Sequence, residues 1–178
     1  DIDINKDISG RPYQERVIKS VCENYAKKSR KSLLVMATGT GKTRVAISIV
    51  DILTRYNWVK RVLFLADRTP LVTQAQRAFA KYLPDLNPVD ITKVGVDGAE
   101  NRVVVSTYHT MMNLIDAKKA NEKMFSVGHF DLIIIDEAHR LVKQMYGDFS
   151  GENQVKECIN ASLLSILIPN SLHLFNTS

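Results

Sequence analysis

Cysteine is scarce in this chain: two residues in 178, Cys22 and Cys158, too far apart for a C-x-x-C pair or any metal-ligand spacing. That excludes a disulfide framework or a zinc module as the basis of the fold. Both are expected to be buried thiols in a reducing compartment. No apolar run approaches the roughly 18 residues of a membrane span. The opening stretch, residues 1–10, is polar and has no apolar signal segment, so the cytoplasm is the expected location. There are no internal repeats, and with 8 glycines and 5 prolines no low-complexity tract is present. Acidic residues are outnumbered, 19 against 24 Lys and Arg, for a net charge of +5. This mild basic excess suits a polyanionic partner without requiring one. What remains is 45% hydrophobic and 24% charged, an ordinary composition for one domain with a real core.

Hydrophobic periodicity divides the chain into alternating elements. Arg11-Pro12-Tyr13-Gln14 opens a helix whose apolar stripe is Val17, Ile18, Val21, Cys22 and Tyr25, with Pro12 in its first turn. The basic cluster Lys27, Lys28, Arg30, Lys31 reads as a solvated helix end and turn. Leu33-Leu34-Val35-Met36 has the length of a strand buried on both faces. A Gly/Thr turn leads into a helix carrying Val45, Ile49, Ile52, Leu53 and Tyr56, and Trp58 is expected to pack beyond it. A strand at Val62–Leu65 precedes a helix from Thr69 to Leu83, and short strands are expected near Val89–Val94 and Val103–Val105. A helix over Met111–Ala117 and a strong strand, Leu132–Ile135, follow. Residues 152–168 read as a helix ending in the apolar run before Pro169. Alternating strands and helices predict a parallel sheet covered on both faces, with ligands at the carboxyl ends of the strands.

Two motifs fall at those strand ends. Ala37-Thr38-Gly39-Thr40-Gly41-Lys42-Thr43 lies between a buried strand and a helix. Glycines there let backbone N–H groups curl around phosphates, and the helix N-terminus adds its dipole. Lys42 is placed to reach the β- and γ-phosphates of ATP, and the Thr43 hydroxyl to bind Mg²⁺. Position 36, where the generic phosphate-loop pattern has its first glycine, is Met. Asp136-Glu137-Ala138-His139 follows the tetra-aliphatic strand, with Asp136 94 residues after Lys42. Asp136 is suited to holding hydrated Mg²⁺ and Glu137 to orienting and deprotonating an attacking water. Gln14, whose amide both donates and accepts, is a candidate for reading the adenine edge.

Two further loops carry hydroxyls and a cation. Ala66-Asp67-Arg68-Thr69 and Ser106-Thr107-Tyr108-His109-Thr110 each follow a strand. Arg68, Thr69 and Thr107 are candidates for holding nucleic-acid phosphates, and Thr69 and Thr107 are equally placed to cap the helices that follow. His109, His129 and His173 do not cluster with acids or thiols at metal spacing and read as surface or packing residues.

Taken in order, RPYQ, MATGTGKTRVA, VLFLADRTPLVTQA, VVVSTYHTMMN and FDLIIIDEAHR resemble the first motor domain of the restriction subunit of type I restriction enzymes, a superfamily 2 translocase related to type III restriction subunits. The resemblance covers residues 8–141. It implies a three-layer α/β/α RecA-like phosphate-loop domain with a mainly parallel sheet. It also implies ATP and Mg²⁺ as cofactors, with phosphate binding by Gly39, Gly41 and Lys42, magnesium binding by Thr43 and Asp136, and coupling to the DNA site by His139. Implied partners are double-stranded DNA, a second RecA-like domain and a nuclease domain of the same subunit, and separate modification and specificity subunits. The family usually has Gln where His109 stands.

Residues 1–141 are therefore expected to form the motor domain and 142–178 a divergent or truncated C-terminal segment. Nothing after Arg140 matches the T-A-T-P-like segment that such domains carry next, the nearest fragment being Asn176-Thr177-Ser178. The expectation is that this is a fragment or an altered gene product, which by itself turns over ATP near background. Two rivals stand beside it: a non-catalytic nucleotide- or DNA-binding protein, and half of an RNA helicase, which LADRT and STYHTMMN disfavour.

Overall fold

In this computed structural model, residues 2–37, 39–116, 118–119, 122–123, 125, 128–138 and 162–167 are described. The chain runs α1 (Pro12–Ala26), β1 (Lys31–Met36), α2 (Lys42–Arg55), β2 (Val62–Ala66), α3 (Thr69–Tyr82), β3 (Pro88–Asp90), α4 (Ile91–Val94), β4 (Val103–Thr107), α5 (Tyr108–Asp116), the short pair β5 (Lys118–Lys119) and β6 (Glu122–Lys123), β7 (Leu132–Asp136) and β8 (Ser162–Leu167). Six strands form the main sheet in the order β1-β8-β7-β2-β4-β3. β7, β2, β4 and β3 are mutually parallel. β8 lies antiparallel to both β1 and β7, so β1 runs with the parallel set.

Side chains alternate between the two sheet faces, as the pleat requires. On β2, Val62, Phe64 and Ala66 join a core with α1, α2 and α3, while Leu63 and Leu65 join a second core with Ile91, Met111, Phe125 and Phe130. Two cores on opposite faces of one sheet make a three-layer α/β/α domain. The inner layer is tight: Phe64 meets Phe79 of α3 edge-to-face at 5.6 Å, a pairing worth about 0.5–1.5 kcal/mol beyond area burial. Cys22 is buried in this core as a free thiol, and burial pushes it up to about 11. Cys158 lies outside the described residues.

Four local expectations are corrected. β1 is buried on one face only, with Leu33 and Val35 63% and 64% exposed, because α1 and α2 cover one side and no described element covers the other. Residues 91–94 turn into a short helix instead of extending a strand, since the Asp90 carboxylate accepts from the Thr92 N–H at 3.1 Å and caps it. Thr69 is not a cap: the cap position of α3 is Arg68, without a side-chain bond. Residues 162–167 form a strand where a helix was expected. A short aliphatic run fits either geometry by periodicity, and here its backbone groups pair with β1 on one side and β7 on the other. Trp58 is 38% exposed, at the edge of a groove it lines with Ile52, Leu53 and Tyr56.

Register sets the carboxyl edge. Ala66 pairs with Thr107, and Leu65 with Ile135, so the loops after β2, β4 and β7 leave the sheet side by side. Met36 and Asp136 pair with Ser162 and Leu164 of the intervening β8. The loop after β1 and the acids after β7 are therefore two strand spacings apart, about 10 Å.

Candidate functional site

The segment after β1 is shaped by backbone conformations that only glycine takes without strain. Gly39 and Gly41 have φ of 80° and 86°, in the left-handed region that costs other residues about 1–2 kcal/mol. At Gly41 a Cβ would also sit 2.7 Å from Gln14 Nε2, so the hydrogen-bonded Gln14 amide would have to shift. The turn is tied by Thr40, whose hydroxyl donates to the Ala37 carbonyl at 2.6 Å. Thr38 lies outside the described residues. Gly41 is the cap residue of α2, and Lys42 and Thr43 occupy its first turn, which holds no acid.

α1 fixes this loop from the other side. Gln14 Nε2 and the Tyr13 hydroxyl both donate to the Thr40 carbonyl, at 2.9 Å and 2.6 Å. Gln14 is 2% exposed, and its Oε1 accepts from the Arg11 N–H at 3.4 Å at the start of α1. Both ends of the amide are thus engaged by protein. Tyr13 is a partner of this loop that only its place beside Gln14 marks in the sequence.

Lys42 spans the gap to β7. Its Nζ lies 2.6 Å from Glu137 Oε1 and 3.5 Å from Asp136 Oδ1, with side-chain exposures of 11%, 19% and 15% for Lys42, Glu137 and Asp136. Glu137 adopts φ of 55°, rare for a residue with a side chain, and its N–H donates to Asp136 Oδ1 at 3.1 Å. That turn brings two successive carboxylates to one ammonium. Burial pushes the Asp136 carboxyl above its ordinary value; Lys42 pulls it down, Glu137 pushes it further up, and the raising effects win. His139 lies outside the described residues.

Beside the acids a cleft is lined by Leu65, Ala66, Asp67, Tyr108, His109, Ile135, Asp136 and Glu137. It joins the β2–α3 loop and the start of α5 to the acidic pair, a contact set that no motif spacing indicates. Arg68 follows Asp67 with a 70% exposed side chain, its Nε 3.2 Å from Asp67 Oδ2, and Thr69 beside it is exposed. Thr107 is 8% exposed. Its hydroxyl accepts from the Thr110 N–H at 3.2 Å and bonds the Thr110 hydroxyl at 2.9 Å, so it caps α5. His129 packs against Phe125 and Phe130.

The donor set suits a hard cation bound together with a phosphate chain. Mg²⁺ needs only one or two carboxylates beside phosphate oxygens and waters; Asp136 offers a carboxylate at the end of β7 and Thr43 a hydroxyl in the first turn of α2. The open turn at Gly39, where a Cβ would meet nothing within 4 Å, leaves room for the anion.

Comparison with known proteins gives consistent relatives. The family described as "Type III restriction enzyme, res subunit" matches residues 7–166. The chain is 34% identical over 145 residues to the type I restriction enzyme EcoKI endonuclease subunit of Escherichia coli (strain K12), covering 73% of this chain and 11% of that protein. It is 35% identical over 135 residues to the type I restriction enzyme EcoAI endonuclease subunit of Escherichia coli, covering 74% and 16%. The chain thus spans a small part of these two relatives. Among solved structures, the Sulfolobus solfataricus SWI2/SNF2 ATPase core in complex with dsDNA aligns with a TM-score of 0.56 at 19% identity, covering 76% of this chain and 27% of that one. At that identity the likeness speaks for the fold.

Proposed function

The chain belongs to the family of the type III restriction enzyme res subunit, and from that premise we propose that it is the nucleotide-binding half of an ATP-driven translocase of double-stranded DNA. It is a helicase-type motor domain with a RecA-like fold. The observation that carries the finer reading is the meeting of Lys42 with Asp136 and Glu137 beside the glycine turn. A triphosphate entering that turn takes over the Lys42 ammonium from Glu137, with Gly39, Thr40, Gly41 and flanking Ala37 and Thr38 lining the phosphates. Thr43 and Asp136 would hold Mg²⁺, which supplies charge neutralisation at the phosphate oxygens. Glu137, released from Lys42, becomes the acceptor for a proton from the attacking water. Gln14 reaches the adenine edge by leaving the Thr40 carbonyl.

The cleft that ends at Asp136 and Glu137 is lined by Asp67, next to Arg68 and Thr69 in sequence, and by Tyr108 and His109, next to Thr107, which suits a bound DNA backbone on the same edge; His139 would couple the two. Residues 1–141 are assigned as the motif-bearing part of the motor domain, and β8, from the 142–178 segment, completes its sheet between β1 and β7. Phosphoryl transfer depends on charge stabilisation from all sides, and loss of an arginine finger typically costs roughly 10³–10⁵ in rate. The second RecA-like domain, the nuclease and the modification and specificity subunits are therefore the proposed partners of a cytoplasmic complex.

The test is calorimetric titration of Mg-ATP into residues 1–178. Binding is expected, and Lys42→Ala should weaken it by about an order of magnitude or more. Equal affinity of variant and parent would overturn the reading.

A further inference from the structure

The geometry points to Arg44 as the residue that contacts the face of the nucleobase and gives the site its preference for a purine. This deepens, and rests on, the triphosphate-binding reading above. The orientation of the ligand follows from the loop. Lys42 reaches the terminal phosphates, and its Nζ is 2.6 Å from Glu137 on the β7 side. The nucleoside end must then leave on the opposite side, towards α1. At that side stands Gly41, where a Cβ would lie 2.7 Å from Gln14 Nε2, 3.9 Å from Arg44 Cδ and 4.0 Å from Arg44 Cβ. Gln14 and Arg44 therefore flank one glycine at the exit of the loop.

Arg44 is exposed, yet it is held. One guanidinium nitrogen donates to the Asp7 carbonyl at 2.7 Å and approaches the Tyr82 hydroxyl at 3.0 Å, and its Cζ lies 5.3 Å from the centre of the Tyr82 ring. Contacts from the N-terminal turn and from α3 thus fix a planar cation beside the loop. Its location is electrostatically uphill for an empty helix: Lys42 and Arg44 both sit in the first turn of α2, with no acid there, where the helix dipole disfavours positive charge. An anionic ligand with a stacking base offsets that cost. A guanidinium plane stacks on nucleobases through charge and surface together. The amide of Gln14 is committed at both ends to Thr40 and Arg11, so a base arriving at this form of the site meets the Arg44 face before any hydrogen-bonding edge.

The experiment titrates residues 1–178, in magnesium, with ATP, UTP and inorganic tripolyphosphate. The parent should bind ATP more tightly than UTP. Arg44→Ala should weaken ATP by roughly fivefold to tenfold beyond any change in tripolyphosphate affinity, the scale of one stacked base, and bring ATP and UTP together. Arg44→Lys, which keeps the charge and loses the plane, should show the same collapse of base preference. Retained tripolyphosphate binding reports that each variant is folded. An ATP-to-UTP ratio unchanged by Arg44→Ala, or an equal loss for all three ligands, would overturn the inference. So would a parent that binds tripolyphosphate but ignores the base, which would leave the triphosphate reading standing. A parent that binds none of the three overturns both.

Discussion

Lys42 and Glu137, 95 residues apart in the chain, meet at 2.6 Å, so the cation that a phosphate chain would use is held by a carboxylate in the form described here. Binding must replace that pair. Glu137→Gln should remove the competing charge and strengthen Mg-ATP affinity about three- to tenfold, on the scale of a part-buried charge-assisted bond, while abolishing phosphate release. Calorimetry on the variant checks the first half and a phosphate-release assay, on a longer chain that includes the second motor domain, the second. Weakened ATP binding would show that Glu137 does not compete for Lys42.

The raised carboxyl of Asp136 gives a pH signature. Its folded-state pKa lies above the ordinary 3.8 because of burial first and Glu137 second, with Lys42 opposing. Folding therefore disfavours the ionised form. The penalty is absent below 3.8, where the group is protonated in both states, and develops as pH rises through the folded value. Asp136→Asn should raise the melting temperature near neutral pH. The gain should shrink as pH falls towards 4. A gain that grows with acidity would reverse the assigned sign.

Asp90 behaves in the opposite sense. Burial alone would raise it, but hydrogen bonds from Thr92, Lys93 and Thr73 outweigh burial and hold it below 3.8. Its stabilisation is present above the unfolded value and is lost as pH falls through the lower folded one. Asp90→Ala removes the cap of α4 and the tie to Thr73 of α3, at about 1 kcal/mol. Urea unfolding should show a deficit at neutral pH that shrinks as pH falls below the ordinary value of 3.8.

Arg68 carries the prediction for DNA. Its exposed guanidinium at the rim of the β2–α3 loop should contribute one phosphate contact. Duplex binding by residues 1–178 is then weak, independent of sequence and steeply salt-dependent. Arg68→Ala should lower the slope of log affinity against log salt by about 1. Fluorescence anisotropy across a salt series measures it, and an unchanged slope would remove Arg68 from the interface.

Much of this molecule is written locally. The aliphatic runs that became β2, β4 and β7 and the amphipathic stripes of α1, α2 and α3 declare themselves by period. The glycines at 39 and 41 declare a turn because positive φ is a property of the residue. Order along the chain was enough to place both charged motifs at strand ends. Other features needed neighbours. Leu33 and Val35 look like core and are exposed, because burial depends on which layer covers a face. Residues 162–167 became a strand because two unpaired backbone edges, of β1 and β7, stood on either side of them. Thr107 was a candidate for both capping and phosphate contact, and the position of Thr110 committed its hydroxyl to the cap. The meeting of Lys42 with Asp136 and Glu137, the engagement of Gln14 and Tyr13 with Thr40, and the clamp on Arg44 are distances between elements. A sequence fixes what a residue can donate, accept or bury; which partner it finds is decided by sheet order and register.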